Sequence, residues 1–247
     1  MTRPITIFTG QWADLSFTEI CQKAQQWKYH GLEIAAWGDH FDIQKGASDP
    51  DYTHSRRKIL ADHSLQCWAL GTHIIGQCVG DLWDPRLDTF APDNLKGQPE
   101  AIREWAIAEM KAAPLAAKNM GVSVLTGFTG SPIWRYLYSF PPASEGMIQE
   151  GFDTIVRLWT PIFDEFDRHG VRFALEVHPT EIAFDLYTAQ RLLQAFDYRP
   201  TLGFNFDPSH LLWQGITPHL FLREFPERIY HVHMKDVTVT LDGRAGL

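Results

Sequence analysis

Phe173-Ala-Leu-Glu-Val-His178 is an apolar run of strand length that ends on a carboxylate and an imidazole. Two later stretches repeat the design. Phe204-Asn-Phe-Asp-Pro-Ser-His210 closes on Asp207 and His210, and Ile229-Tyr-His-Val-His-Met-Lys-Asp236 carries His231 and His233. One such residue at a strand end means little, but three successive strands that each end in one describe a site built across the mouth of a parallel barrel.

Outward from these runs, short Val-, Ile-, Leu- and Phe-rich segments alternate with longer helical patterns, the signature of repeated βα units. Seven strands are predicted, at residues 5–9, 32–36, 66–71, 123–127, 172–177, 202–207 and 229–235. Helical stripes fall between them at 17–30, 51–63, 100–120, 145–169, 188–196 and 217–225. In the first, Phe17, Ile20, Cys21, Ala24 and Trp27 share one face, with Ser16 as N-cap and Gly31 as stop. Pro114 and Pro161 are expected to kink or split the helices that hold them. Two connections, 72–99 and 128–144, are long. Both follow a strand, which puts them on the C-terminal face, where long loops carry substrate contacts.

The count stops one short of eight. After Lys235 the sequence reaches Leu247 with no further strand or helix pattern. The expected fold is an α/β TIM-type (β/α) barrel, a single domain over 1–247, without its eighth strand and last helices. Unpaired first and seventh strands favour a homo-oligomer.

A net charge of −8 over 247 residues, with 45% hydrophobic and 21% charged side chains, describes one soluble core and disfavours nucleic acid as a partner. Arg56-Arg57-Lys58 is the one short basic cluster, read as a solvated helix face. Cys21, Cys67 and Cys78 show no CxxC spacing, so neither a disulfide framework nor a thiolate zinc site is indicated. With no signal-peptide pattern at the start and no apolar run of membrane length, the expectation is a cytoplasmic protein without a membrane partner.

In strand 172–177, Arg172, Ala174 and Glu176 point one way and Phe173 and Leu175 the other. A carboxylate aimed into a barrel must be paired, protonated or metal-bound. Asp207 ends its strand, Pro208 turns the chain, and His210 returns over the same mouth; a helix-capping role for Asp207 is the alternative. His231 and His233, two apart, share a strand face, and neutral imidazole is a common metal ligand. Lys235, on that face, is placed to stabilise an oxyanion. Glu33, Trp37, His40, His73 and His178 are candidates for substrate contacts, with hydrogen-bonded structural roles as the alternative for each. Trp37 and Trp134, in top-face loops, offer rings for the apolar face of a sugar. No GxxxxGK loop, GxGxxG, HExxH or GxSxG is present, which disfavours nucleotide binding and serine hydrolysis.

On Gly31-Leu-Glu-Ile34, Ala174-Leu-Glu-Val-His178, Asp207-Pro-Ser-His210 and His231-Val-His-Met-Lys-Asp236, the whole chain resembles the xylose isomerase-like TIM-barrel superfamily, in its sugar phosphate isomerase/epimerase branch. Relatives there include inosose dehydratases, ketose 3-epimerases and endonuclease IV. The resemblance implies one divalent metal, Mn, Mg, Co or Zn, held by Glu176, Asp207 and His233. His210 matches a position that binds substrate or a second metal, and the family's strand-eight Glu ligand has no counterpart. The implied activity is an isomerase, epimerase or dehydratase acting on a sugar, sugar phosphate or inosose by proton abstraction next to a carbonyl, with Glu176, His210 and Lys235 as catalytic residues. An endonuclease IV-like zinc phosphodiesterase and a truncated, non-catalytic barrel are the alternatives.

Overall fold

Gly31-Leu-Glu-Ile-Ala35 shows how the strands are made: Leu32 and Ile34 enter the shell packed against helices while Glu33 points to the interior, and all five residues are buried. In the computed structural model, which describes residues 3–136, 138–240 and 242–244, this run is β2 of a seven-stranded parallel sheet. The strands are β1 (Thr6–Phe8), β2 (Gly31–Ala35), β3 (Gln66–Gly71), β4 (Val124–Gly127), β5 (Arg172–Glu176), β6 (Leu202–Phe206) and β7 (Ile229–Val232), paired in chain order. The readings that touch Met1, Thr2, Leu137, Leu241 and 245–247 lie outside the described residues.

Around the sheet run α1 (Phe17–Gln26), α2 (Ile43–Ser48), α3 (Pro50–Asp62), α4 (His73–Gly80), α5 (Pro99–Met120), α6 (Glu145–His169), α7 (Leu186–Ala195), α8 (Pro208–Trp213) and α9 (Pro218–Glu224). The sheet curls far enough for its ends to meet inside. His231 and His233, on the β7 segment, lie 2.8 and 2.7 Å from Glu33 of β2, and Phe8 of β1 stacks on His233 at 5.7 Å. The architecture is an α/β TIM-type barrel without an eighth strand among the described residues.

Period-two alternation sorts the side chains. Phe173 of β5 faces outward into a fully buried aromatic group with Trp159, Phe163 and Phe166 of α6. Truncating one of these rings to Ala is expected to cost about 3–5 kcal/mol. The opposite faces bring Glu33, Thr126, Glu176 and Asn205 into the barrel, where each is buried.

Several local expectations are corrected. α5 and α6 run unbroken through Pro114 and Pro161; tertiary packing holds both helices across the missing N–H, and Pro114 is itself buried in that packing. The 72–99 connection contains α4, HIIGQCVG, whose polar His73 and Gln77 are buried along with most of its apolar residues, so it shows no solvent-facing stripe to read. Its Gly76 and Gly80 lie so near the β4 exit that a Cβ would meet Phe128 O at 2.0 Å and Thr129 O at 2.4 Å. Gly31 opens β2 instead of stopping α1, since a Cβ there would meet Gln66 O at 2.1 Å. Arg56 is no solvated residue: its guanidinium lies over the rings of Phe17 and Tyr52. β7 ends at Val232, which leaves Lys235 beyond the ladder.

Candidate metal centre

Glu176 is the last residue of β5, 4% exposed, and imidazoles surround it. His73, the first residue of α4, donates from Nε2 to Glu176 Oε2 at 3.1 Å. His233 Nδ1 lies 2.9 Å from the same oxygen, and Asn205 of β6 donates to it from Nδ2 at 3.0 Å. His210, in the first turn of α8, brings Nε2 to 3.2 Å from Oε1. Burial opposes ionisation, but the hydrogen bonds from His210, His233 and His73 outweigh it and hold this carboxyl well below the usual range.

Asp207 resolves the two roles read for it by dividing them between its oxygens. Oδ1 caps α8, accepting from Ser209 N at 2.8 Å and Ser209 Oγ at 2.6 Å. Oδ2 faces the cluster, 3.6 Å from His210 Nε2 and 2.9 Å from Lys235 Nζ. The lysine neutralises Oδ2 by charge, yet this buried oxygen has no well-directed hydrogen bond. A buried carboxylate oxygen left in that condition beside a second carboxylate and an imidazole suits a divalent cation with mixed O and N ligands.

Among the described residues, three groups place their ligand atoms within 4.8 Å of one another: Glu176–Asp207–His210, His73–Glu176–His233 and Glu33–His231–His233. The predicted trio of Glu176, Asp207 and His233 is thus spread over two groups that share Glu176. His233 reaches Glu176 with Nδ1 and Glu33 with Nε2. Burial favours its neutral form, but the Glu33 and Glu176 charges prevail and raise it to about 10.

Glu33, 1% exposed, lies beneath these rings. Its Oε2 accepts from His231 and His233, and Thr126 Oγ1 donates to Oε1. Burial works against its charge, and the two imidazoles overcome it and hold the carboxyl far below the ordinary range. This is the position of a residue that orients imidazole ligands. His178 packs edge-on to His210 at 4.1 Å and against Phe128 at 5.2 Å, and burial lowers it to about 4. Trp37 meets Phe8 edge-on and is half-buried.

His40 joins none of these groups: fully buried, its ring nitrogens contact Thr9 Oγ1 at 2.9 Å and Leu15 O at 3.2 Å. Trp134 packs under the Arg86 guanidinium at 5.3 Å. Asn205 and Thr126 were missed in the sequence. Both sit on the inward register of their strands, so the alternation that exposed Glu176 also marks them.

Behind the centre lies a second buried acidic feature. Glu181 Oε2 accepts from Thr129 N at 2.9 Å and Thr129 Oγ1 at 3.2 Å, and Asp81 Oδ1 accepts from Ser131 N at 2.7 Å. Burial, reinforced by Asp81, pushes Glu181 up to about 8. The Glu181 bonds tie the β4 exit to the turn after β5, and the Asp81 bond ties it to the end of α4.

Residues 21–246 match a family model described as xylose isomerase-like TIM barrel. The YfiH protein of Bacillus subtilis is 34% identical over 111 residues, 44% of this chain and 35% of YfiH, so the match spans about a third of that relative. The apo crystal structure of the 3-keto-D-glucoside 4-epimerase YcjR from E. coli superposes with a TM-score of 0.69 at 13% identity, over 95% of this chain and 80% of that one. The IolI protein with a bound zinc atom gives 0.63 at 15% identity, over 99% of this chain and 77% of its own. At these identities the two structures establish the shared fold. No helix among the described residues is long and apolar enough to cross a membrane.

Proposed function

The chain belongs to the xylose isomerase-like TIM-barrel family, and from that premise we propose that it is a metal-dependent isomerase or epimerase of a sugar, sugar phosphate or inosose, with dehydration as a variant of the same first step. The observation that carries this reading is the convergence of Glu176, Asp207, His210 and His233 at one rim, with Asp207 Oδ2 buried and poorly hydrogen-bonded. The zinc in IolI and the sugar epimerised by YcjR agree with it.

In this reading Glu176 and Asp207 hold Mn²⁺, Mg²⁺, Co²⁺ or Zn²⁺, with His210 and His233 completing the donor set. Such an ion, when bound, polarises a substrate carbonyl and orients its neighbouring hydroxyl. Glu33 fixes which nitrogen His233 presents, because Nε2 is committed to it. Proton removal next to the carbonyl falls to Glu176, whose carboxylate has a second oxygen to act as base. Lys235, His178 and His73 border the opening and supply donors to substrate oxygens. Buried rings around Glu176 exclude water from the carbon that loses its proton.

The test is proton exchange. The protein with MnCl₂ is incubated in D₂O with a panel of ketoses and inososes, and deuterium next to the carbonyl is followed by NMR. Incorporation that Glu176→Gln abolishes is the expected result. No incorporation from any member of the panel, or incorporation unchanged by the substitution, overturns the reading.

A further inference from the structure

Lys235 Nζ stands 2.9 Å from Asp207 Oδ2 and 2.8 Å from His210 Nε2, which are side chains of two of the three residues in the Glu176–Asp207–His210 group. We propose that Lys235 is a tethered cation that fills part of the metal position, so that a divalent ion enters by displacing it. This rests on the metal-dependent reading given above and assigns the lysine a task separate from oxyanion stabilisation.

The chemistry is that of a substitution between cations. An ammonium group has three N–H donors and no lone pair, so when Lys235 bonds to His210 Nε2 that nitrogen is in its lone-pair state and gives up its bond to Glu176 Oε1. A metal ion requires that same lone pair, together with one on Asp207. Ligand atoms sit about 2.0–2.3 Å from such ions, and an ammonium within 3 Å of both atoms has no room beside one and is repelled by its charge.

The surroundings suit exchange. Asp207 carries a fully buried side chain, whereas that of Lys235 is 52% exposed on a segment beyond the β7 ladder. Asp207 Oδ2 lacks a well-directed hydrogen bond despite the short ion pair, so the lysine supplies charge without locking geometry. Glu33, Asp207, His231, His233 and Lys235 line one cavity of about 360 Å³, into which the freed ammonium can swing. Without metal the lysine neutralises a buried carboxylate; with metal it becomes available to substrate oxygens. A free substrate-facing ammonium and a loaded metal site therefore arise together.

The experiment titrates metal-free protein with MnCl₂ by calorimetry, comparing wild type with Lys235→Met. The variant is expected to bind Mn²⁺ roughly fivefold more tightly, the scale of a half-exposed ion pair. Its metal-free form is expected to melt earlier than wild type, and its Mn²⁺-loaded form at the same temperature. As a second readout that needs no variant, acetylation of Lys235 in the wild type, followed by mass spectrometry, is expected to rise when Mn²⁺ is added. Mn²⁺ binding that is equal or weaker in Lys235→Met, or Lys235 labelling indifferent to Mn²⁺, overturns the proposal and leaves the metal-dependent reading standing. A wild-type protein that takes up no Mn²⁺ overturns both.

Discussion

Glu176 and Glu181 lie in one segment at the end of β5, are 4% and 1% exposed, and behave as opposites. Glu176 meets three imidazoles and an amide N–H₂, and is held as a carboxylate. Glu181 meets the backbone N–H and hydroxyl of Thr129 and feels the charge of Asp81, so its proton is retained up to about 8. Burial is common to both and opposes charge in both. What separates them is the partners: a buried carboxyl ringed by imidazoles is a ready cation ligand, and one beside another acid is a neutral pin between loops.

The strongest way to break that contrast is to make the same substitution on each side. Glu176→Gln removes the residue shared by two of the ligand groups and is expected to weaken Mn²⁺ binding by more than about a hundredfold, beyond the range for loss of an outer partner. Glu181→Gln is expected to leave Mn²⁺ affinity within about twofold, since its bonds go to Thr129 and not to the cluster. Calorimetric titration of both variants reads the pair, and equal losses would erase the distinction.

Much of the Glu176 side was legible because it obeys a period of two. Glu176, Asp207, His231 and His233 fall on inward positions of successive parallel strands, and a sheet in chain order then brings them to one rim. The strand count and most helices were readable for the same reason of regular spacing. Glu33 shows where the reading stops: alternation gives its direction, but its depth beneath His231 and His233 depends on the stagger between β2 and β7, which no local pattern encodes. His40 faces Thr9 and Leu15 because of the path of the loop after β2. Glu181 was silent, since its partners come from turns at Asp81 and Thr129, distant in sequence and without periodicity. α4 went unread because burial on every side erases the amphipathic signal.

Glu33 sharpens the comparison from beneath, as a third buried carboxyl that keeps its charge through imidazoles without standing at the rim. Glu33→Gln keeps the shape but removes the anion that orients His233 and His231. Mn²⁺ affinity is expected to fall by about ten- to a hundredfold, the range for losing an outer-shell partner. The loss is thus smaller than for Glu176→Gln, and a Glu33 variant that binds as wild type would mean that His233 is oriented by Glu176 alone.

The smallest effect belongs to stability, and its sign is fixed by the direction of the Glu181 shift. The carboxyl has an ordinary value of 4.5 and is raised to about 8 in the folded chain, so between these values the native state binds the proton that the unfolded state has released. Stability from this group is therefore full below about 4.5 and declines as pH rises toward 8. Glu181→Gln cannot ionise, and its carbonyl can still accept from Thr129. Its amide N–H₂ enters the place of Oε1, and any cost of an unpaired donor there is the same at every pH. Relative to wild type, the variant is expected to gain on the order of 1 kcal/mol between pH 5 and pH 8, measured by urea denaturation at both values. A variant less stable at pH 8 than at pH 5, relative to wild type, would place an ionised carboxylate at Glu181 and remove the difference from Glu176.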